Sequence, residues 1–301
     1  MRGVTAIIVT YNSEQEIGAC LDALQNECSG TIVVDNASED ATLAEVRRRP
    51  WVTVVAQSEN LGFAGAVNAG ARLATGTHLL LMNPDAVLTA PLDPLVAACS
   101  QHGIAAGALT DADGRIQAGF TVRSLPTPAA LVFECLGLNR FWPSNPVNRR
   151  YRRLDADLTK AAFVEQPAGA FLMIRRDVFD KLGGFDERFW PVWFEDVDFC
   201  RRALDRGYRI VYEPKSAVYH QKGATLGGQL SAFGCYYLSR NRPYLMRKHL
   251  SLPRFAVFLG YYLATRATRC ALWLPQGRRD LVRATLAGLR DFGLGRMGAR
   301  R

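Results

Sequence analysis

The sequence lacks several features that would assign it to a common class of protein. No uninterrupted apolar run reaches the roughly 18–20 residues that a membrane-spanning helix needs, and the nearest candidate, FAVFLGYYLAT at 255–265, is bracketed by Arg254 and Arg266. The seven cysteines form no C-x-x-C pair, a distribution typical of reduced cytosolic thiols packed as small apolar residues. With 49% hydrophobic residues, the chain is expected to bury a sizeable globular core.

Two phosphate-binding signatures are also missing near the first predicted strand. The segment VTYNSEQEIG at 9–18 contains no lysine, which counts against a nucleotidyltransferase with a glycine- and lysine-rich phosphate loop. The same segment contains no G-x-G-x-x-G pattern, which counts against a dinucleotide-dependent dehydrogenase.

The net positive charge of the chain is concentrated at its end, and the body of the chain carries a small net negative charge. The formal net charge is +9; from Arg240 onward there are 14 Lys+Arg and 2 Asp+Glu, a net of +12, which leaves −3 for the first 239 residues. This asymmetry predicts contact between the tail and an anionic surface, either a membrane or a nucleic acid. We expect a membrane and no nucleic acid, since aromatic residues accompany the arginines and no nucleic-acid recognition motif is present. An amphipathic helix packed on the rest of the protein, with a solvated basic face, is the alternative.

Strands alternate with helices over the first hundred residues. A helix that opens on glycines, GFAGAVNAGARLA, separates the last two of the predicted strands, which are 4–9, 31–34, 52–57 and 79–82. This alternation predicts an α/β fold with a parallel, doubly wound sheet. The segment Ser124–Leu158 is rich in Pro, Asn and Arg and predicts a long loop, and long loops without secondary structure are usually functional lids or disordered. The chain from Ser231 onward predicts basic, aromatic helices.

Polar side chains gather where the predicted strands end. They belong to TYN at 10–12, VDNAS at 34–38, NPDA at 83–86, and FEDVD at 194–198, which opens a helix. Open α/β sheets bind ligands at the carboxyl ends of their strands, so these residues indicate a ligand site at one sheet edge. Each segment also has a structural interpretation. Asp35 and Asn83-Pro84-Asp85 suit turns, acids in a first turn stabilise a helix dipole, and a lone histidine such as His220 is more often structural.

Six motifs in order carry a resemblance to a known family. They are IIVTYN, VVDNASED, ENLGFAGAVNAG, LLLMNPDA, PAGAFLMIRRDVFDKLGGFDERF and FEDVDFCRRALDRGYRI, followed by VYH at 218–220. Over residues 4–222 the sequence resembles the inverting GT-A glycosyltransferases of family 2, and its NPD and GFAGA segments resemble the rhamnosyltransferase-like branch. The resemblance implies a Rossmann-like, mostly parallel sheet flanked by helices over residues 1–235, with a donor half at about 1–100 and an acceptor half at about 101–235. Residues 236–301 would then form a helical, basic, membrane-associating extension.

The resemblance also implies a reaction. A hexose or deoxyhexose, with rhamnose favoured, moves with inversion from a dTDP- or UDP-linked nucleotide diphosphate sugar to a hydroxyl of a cell-surface glycan or lipid-linked acceptor. Ser124–Leu158 is expected to shape acceptor choice. The enzyme is expected in the cytoplasm, peripheral at the inner face of the cytoplasmic membrane, in the biosynthesis of a cell-envelope polysaccharide. The alternatives are a non-catalytic sugar- or nucleotide-binding protein on the same fold, or a nucleotidyltransferase.

Four groups of site residues follow from the same resemblance. Asp196 is the general base that deprotonates the acceptor hydroxyl, and Glu195 supports it. A divalent metal, Mn²⁺ or Mg²⁺, is bound by Asp85 and His220. The family's usual Asp-x-Asp pattern begins here with Asn83, which supplies no charge. Acceptor binding is expected from Trp190, Trp193 and Asp198, and donor binding from Thr10, Tyr11, Asn12, Asp35, Asn60, Gly62, Asn68, Asn83 and Asp85.

Overall fold

The computed structural model describes residues 3–221 and 230–299 of the chain. These residues form two compact units. The first contains the chain up to Ser124 and again from Ala156 to the last strand, and the second contains Leu125–Asp155 and the C-terminal helices. The predicted division at residue 235 differs from this one, because the segment 125–155 clusters with the C-terminal helices.

The secondary structure alternates as the sequence predicts over the first unit. The strands are β1 Val4–Thr10, β2 Gly30–Asp35, β3 Val52–Ala56, β4 His78–Met82, β5 Ala86–Leu88, β6 Gly103–Thr110, β7 Val122–Arg123, β8 Ala162–Val164, β9 Gln166–Pro167, β10 Phe171–Arg175 and β11 Arg209–His220. The helices are α1 Ile17–Leu24, α2 Thr42–Arg47, α3 Gly62–Leu73, α4 Asp93–His102, α5 Pro128–Leu136, α6 Leu138–Phe141, α7 Pro146–Arg152, α8 Arg176–Leu182, α9 Glu195–Asp205, α10 Ala232–His249, α11 Leu252–Trp273 and α12 Arg279–Gly293, with a 3-10 turn at Glu187–Phe189.

The central sheet of the first unit is mixed, with most of its residue pairs parallel. Its order is β3-β2-β1-β4-β10-β6-β11-β5, and β8 pairs alongside β11. β1 is parallel to β2 and β4, and β2 is parallel to β3. β10 runs antiparallel between β4 and β6, while β6 and β11 are parallel. The predicted α/β class, a mostly parallel sheet flanked by helices, is confirmed.

Both faces of this sheet are covered by apolar side chains, which explains why its central strands are continuous hydrophobic runs. On β1, Ile7 belongs to the core beside α3, α8 and α9, whereas Ala6 and Ile8 belong to the core beside α1 and α4. Successive residues of a strand point to opposite faces. A strand covered on both sides therefore carries apolar residues without alternation.

The second unit begins with three helices, α5 to α7, where the sequence predicts a long loop over Ser124–Leu158. That prediction is wrong, because the polar residues and prolines of this segment start helices. The Thr127 side chain accepts a hydrogen bond from the first turn of α5, and Pro128 is the first helical residue. Asn145 caps α7 in the same way, with Pro146 next. A capping residue followed by proline is a helix-start signal.

The C-terminal helices α10 to α12 confirm the predicted helical extension. Buried arginines bind two of them, α10 and α11, to α5 within the second unit. Arg242 forms an ion pair with Glu134 at 3.1 Å, and Arg266 donates to the Cys135 carbonyl at 2.8 Å. Guanidinium groups suit such sites because their several donors reach more than one acceptor. None of the described helices is long and apolar enough to cross a membrane.

Candidate active site

The first polar cluster lies where β1 and β2 end side by side. Asp35 is fully buried, and its Oδ1 accepts hydrogen bonds from Thr10 Oγ1 at 2.8 Å and from Ser38 Oγ at 2.5 Å. The Ser38 amide donates to the other carboxylate oxygen at 2.9 Å. Because β1 and β2 are parallel, with Thr10 in register with Asp35, both residues lie at one carboxyl edge of the sheet. The local turn expected at Asp35 is present and holds the carboxylate at that edge.

Tyr11 and Asn12 follow Thr10 at the surface of this edge. Asn12 has a left-handed backbone with a φ of 51°, which asparagine tolerates better than most residues. Its amide donates to Ser38 Oγ, and its side-chain oxygen accepts from the Glu39 amide, both at 2.9 Å. Asn12 thus ties the ends of the two strands together. The Tyr11 side chain is 44% exposed, as a surface for ring stacking requires.

Asn60 and Gly62 form a tight loop before α3. Asn60 Oδ1 accepts from the Gly62 amide at 2.8 Å, and the Asn60 carbonyl accepts from Trp190 Nε1 at 2.8 Å. Asn36, which the sequence prediction omits, joins this loop by accepting from the Leu61 amide at 3.2 Å and donating to the Gly62 carbonyl at 3.3 Å. The structure therefore brings two predicted donor residues into contact with Trp190, a predicted acceptor residue.

Asn68 lies in α3, and its side chain contacts the turn that precedes the 3-10 helix. Its Oδ1 accepts from the Phe185 amide, and its Nδ2 donates to the Phe185 carbonyl and to Glu187 Oε1, all at 2.9 Å. These contacts use both donors of the side-chain amide. In this structure Asn68 holds α3 to the turn.

Strand pairing brings Asp85 to His220. Asp85 directly precedes β5, which pairs antiparallel with the end of β11, so that Ala86 is in register with His220. His220 Nε2 lies 3.5 Å from Asp85 Oδ1. The Asn83 amide donates to the Ala170 carbonyl at 3.1 Å, and the Asn83 carbonyl accepts from the Ala86 amide at 3.2 Å. The turn interpretation of Asn-Pro-Asp is therefore correct, and this turn places Asp85 beside the histidine.

The Asp85 carboxyl group has the features of an unsatisfied ligand. It is 9% exposed, and its Oδ1 accepts no hydrogen bond from any described residue. Burial raises the pKa of Asp85, and the nearby His220 partly offsets that rise. A buried carboxylate is costly unless a charged partner compensates it, and Mn²⁺ accepts both oxygen and imidazole ligands. The pair therefore fits two ligands of a divalent cation. Within residues 3–221 and 230–299 no group of three such ligand side chains occurs, so substrate and water would complete the coordination.

Phe120 and Arg123, which the sequence prediction also omits, connect His220 with Asp196. The Phe120 ring stacks on the His220 imidazole with centroids 5.6 Å apart, and the Arg123 guanidinium lies 5.3 Å from the centroid of the same ring. The positive charge of Arg123 in turn acts to lower the pKa of Asp196. Gln117 fixes the end of β11 by donating to the His220 carbonyl at 2.6 Å. No motif in the sequence signals these three residues, and only the packing reveals them.

Glu195 and Asp196 begin α9 as predicted, in different environments. Asp196 is partly exposed; its Oδ1 accepts from the Val197 amide at 2.7 Å and its Oδ2 from the Gly169 amide at 3.2 Å. Burial raises the pKa of Asp196, and these hydrogen bonds partly offset the rise. Glu195 is 6% exposed, and its Oε2 accepts no hydrogen bond from the part of the chain that the structure describes. Burial, reinforced by the Asp196 charge, raises the pKa of Glu195 well above its usual range. Because Asp196 accepts two amide hydrogen bonds and Glu195 Oε2 accepts none from the described residues, negative charge is favoured on Asp196.

The backbone is strained just before α9. Trp193 and Phe194 both have left-handed backbones, with φ values of 78° and 82°. Such a conformation costs roughly 1–3 kcal/mol for a residue other than glycine and clusters at functional sites. Both side chains are partly exposed. Acceptor binding by Trp193 stays a prediction.

Asp198 takes part in the packing of α9. It is fully buried, and its Oδ2 accepts from Arg202 Nε at 2.8 Å. Arg202 also donates to the carbonyls of Leu182 at 2.6 Å and Gly184 at 2.8 Å. This network holds α9 to the end of α8, so the structure places the Asp198 carboxylate inside the first unit and not on an exposed acceptor surface.

Fold and site together define a class of protein. A mostly parallel sheet flanked by helices, with polar side chains at the carboxyl ends of its strands, is the architecture of the GT-A fold that the sequence resembles. The family described as Glycosyl transferase family 2 matches residues 5–183, more than half of the chain. Residues 156–222 also match the N-terminal domain of galactosyltransferase. The chain belongs to glycosyl transferase family 2 and is a glycosyltransferase.

Individual relatives agree with this assignment. The chain is 31% identical over 243 residues to an N-acetylglucosaminyl-diphospho-decaprenol L-rhamnosyltransferase of Mycobacterium tuberculosis. The alignment covers 73% of this chain and 76% of the relative. The chain is 25% identical over 214 residues to a low-salt glycan biosynthesis hexosyltransferase, Agl10, of Haloferax volcanii, in an alignment that covers 69% of this chain and 63% of the relative. Among solved structures, the mannosyltransferase PcManGT from Pyrobaculum calidifontis, in complex with GDP-Man and Mn²⁺, has a TM-score of 0.54 at 20% identity and covers 97% of this chain and 87% of its own. The predicted GT-A fold and rhamnosyltransferase-like branch are thus confirmed.

Proposed function

We propose that this glycosyltransferase moves a hexose or deoxyhexose, in first place rhamnose, from a dTDP- or UDP-linked donor to a hydroxyl of a lipid-linked or cell-surface glycan, with inversion. One observation carries the proposal. The Phe120 ring contacts both the His220 imidazole and the Arg123 guanidinium, whose charge acts on Asp196. These contacts support one site that contains both the proposed metal ligands and the proposed base. The name of the mycobacterial relative, a rhamnosyltransferase for a diphospho-decaprenol acceptor, supports both the sugar and the lipid-linked acceptor.

The donor is expected along the carboxyl edge of the sheet. Asp35 can accept the ring N–H of uracil or thymine. The exposed Tyr11 directly follows Thr10, which donates to Asp35. Asp85 and His220 would hold Mn²⁺ or Mg²⁺. When bound, such an ion screens the negative charge of the leaving diphosphate. The Mn²⁺ reported with GDP-Man in PcManGT supports a divalent ion as the cofactor.

Asp196 carries the proposed chemistry. It takes the proton of the acceptor hydroxyl while the acceptor oxygen attacks the anomeric carbon, and the bond from that carbon to the diphosphate breaks on the opposite side. One displacement inverts the configuration. The Val197 and Gly169 amides orient the Asp196 carboxylate. Burial and the Asp196 charge raise the pKa of Glu195, which favours its protonated form, and the Arg123 charge favours the ionised form of Asp196.

The second unit supplies the proposed partner surface. The net charge of +12 from Arg240 onward favours an anionic membrane, which would hold the enzyme peripherally at the inner face of the cytoplasmic membrane. There a lipid-linked precursor of a cell-envelope polysaccharide would be within reach.

The test is cleavage and binding of nucleotide sugars by the purified full chain. dTDP-rhamnose, UDP-glucose, UDP-galactose and GDP-mannose are each incubated with and without Mn²⁺. We expect slow, metal-dependent cleavage of one donor, reduced about 10²–10⁴-fold in Asp196→Asn because a general base contributes that much. Glu195→Gln should keep most of the activity, since glutamine mimics a protonated glutamate.

The matched control is Asp205→Asn, the same change at an exposed position near the end of α9. It should leave cleavage unchanged. Calorimetry with the same donors separates the remaining outcomes. Binding without turnover would indicate that the acceptor is required, and the assay is then repeated with a diphospholipid-linked sugar acceptor. If a donor binds without turnover and Asp196→Asn leaves this binding unchanged even when acceptor is present, the non-catalytic alternative is favoured. If no donor binds, the proposal is overturned.

A further inference from the structure

The outer face of α11 is apolar and uncharged along most of the helix. From Ala256 to Leu272, every exposed position is Ala, Gly, Thr, Val, Leu or Tyr. The side chain of Val257 is 62% exposed, that of Tyr261 66%, and that of Leu272 53%. A surface helix in water normally shows the opposite arrangement, with its charged residues outward and its apolar stripe towards the core.

Two polar side chains of α11 are buried on its inner face. Arg266 is 6% exposed, donates to the Cys135 carbonyl, and lies 5.5 Å from the centroid of the Tyr262 ring. Thr265 is also buried, and its hydroxyl donates to the Tyr262 carbonyl at 2.7 Å. Phe255, Phe258 and Trp273 complete this inner face. The second unit therefore packs against one side of α11 only, and its packing gives no reason for the apolar side chains on the other side.

Exposed cations flank the apolar face at both ends. Arg247 and Arg254 are exposed near its N-terminal end, and Arg278 and Arg279 are exposed just past its C-terminal end, with one exposed acid, Asp280, among them. At 1.5 Å per residue, the 22-residue helix is about 33 Å long. An apolar helix face bordered by arginines is the pattern of a helix that lies in the interface of an anionic bilayer.

We propose that α11 docks in the plane of an anionic membrane surface. Val257, Tyr261 and Leu272 enter the boundary between headgroups and acyl chains, and the flanking arginines contact lipid phosphates. The inference deepens the membrane partner of the proposed function by naming the element and the face that meet the lipid. A second copy of this chain fits the same face less well, because a symmetric contact would bring the two sets of arginines together.

The test is the partition of the full chain onto lipid vesicles in the absence of donor or acceptor. Vesicles of equal parts phosphatidylglycerol and phosphatidylcholine are compared with vesicles of phosphatidylcholine alone by sedimentation. We expect binding to the anionic vesicles only, and about tenfold weaker partition for Tyr261→Glu because a charge is placed in the apolar face. The control is Leu73→Glu, the same change of charge at a 54% exposed leucine of the first unit, which should bind as the parent does. Tyr261→Gln, which adds no charge, should weaken binding less than Tyr261→Glu.

Insertion is measured with Val257→Trp and vesicles that carry brominated acyl chains. The introduced indole should be quenched by the bromine atoms. Equal partition of Tyr261→Glu and Leu73→Glu, or an unquenched indole, would mean that charge alone adsorbs the protein, and would overturn the proposal. A second result would also overturn it: the parent chain binds no vesicles but forms a dimer in ultracentrifugation, and Tyr261→Glu dissociates that dimer. Because no sugar is present in these assays, a failure here is separate from a failure of the proposed transfer reaction.

Discussion

His220 Nε2 lies 3.5 Å from Asp85 Oδ1 because β5 pairs with the last residues of β11. The two residues come from segments far apart in the chain, and each has a local structural explanation of its own. Only the register of this pairing turns them towards each other. A slip of one residue would move the histidine side chain to the opposite face of the sheet, so the contact between the two residues depends on the strand register.

Asp85→Asn is expected to abolish metal-dependent donor cleavage. The change keeps the shape of the side chain but removes the negative charge of one of the two proposed ligands. Loss of a ligand should weaken Mn²⁺ binding by at least the ~10–100-fold seen when supporting residues of metal sites are removed. Paramagnetic resonance of free Mn²⁺, titrated with protein and nucleotide diphosphate, measures this directly.

Asp93→Asn is the control for that change, since Asp93 is exposed in the first turn of α4. It should leave Mn²⁺ affinity as it is. Phe120→Ala should weaken Mn²⁺ binding by a smaller factor than Asp85→Asn, because it removes only the ring that stacks on His220. Unchanged affinity in Asp85→Asn would show that the metal is bound elsewhere.

The pH profile of kcat/KM should fall on its acid side at a higher pH than an ordinary aspartate would produce. Burial raises the pKa of Asp196, so acidification converts the base to its inactive protonated form earlier. The Arg123 charge opposes this rise. Arg123→Gln should therefore move the acid limb to still higher pH, whereas Arg123→Lys should leave it near its original position. A limb that does not move in Arg123→Gln would show that another group sets the profile.

Gly62→Ala is expected to lower the free energy of unfolding of the first unit by more than the cost of placing alanine in a left-handed backbone. Gly62 has a φ of +74°, and a Cβ there would stand 2.7 Å from Trp190 Cδ1 and 2.9 Å from the Pro191 carbonyl oxygen. Strain and overpacking together should lower the free energy of unfolding by about 2–4 kcal/mol. Gly183→Ala has a similar φ of +75° with no atom within 4 Å, and should cost only about 1–2 kcal/mol. Thermal unfolding compares the two; equal losses would mean that the Trp190 loop moves aside.

Asp198→Asn is expected to affect stability before it affects acceptor binding. Asp198 is fully buried and paired with Arg202, and loss of one partner of a buried ion pair costs about 3 kcal/mol. The unfolding midpoint should therefore fall. At temperatures below that midpoint, the KM for acceptor should stay within about twofold of the parent value, because the Asp198 carboxylate is buried and pairs with Arg202. A large rise in KM at unchanged stability would restore the acceptor role that the sequence predicts for this residue.

The family motifs are local, and the sequence therefore predicts them well. Strand ends such as Thr10 and Asp35, and the acidic start of α9, follow from hydrophobic runs and the polar residues after them. The segment 124–158 misled the prediction for an equally local reason. Prolines and asparagines are common both in loops and at helix starts. Whether a helix forms after them depends on whether its apolar side chains pack against the rest of the protein.

The sequence by itself determined the α/β class, the resemblance to glycosyl transferase family 2 and the carboxylate pair at 195 and 196, because each is written in a short continuous pattern. The tertiary structure alone decided which of these residues meet. It placed His220 beside Asp85, added Phe120 and Arg123, and used Asp198 and Asn68 for packing. It also turned the apolar face of α11 outward. These outcomes depend on strand register and on which helix faces find a partner, and both are set by contacts between segments that no local pattern encodes.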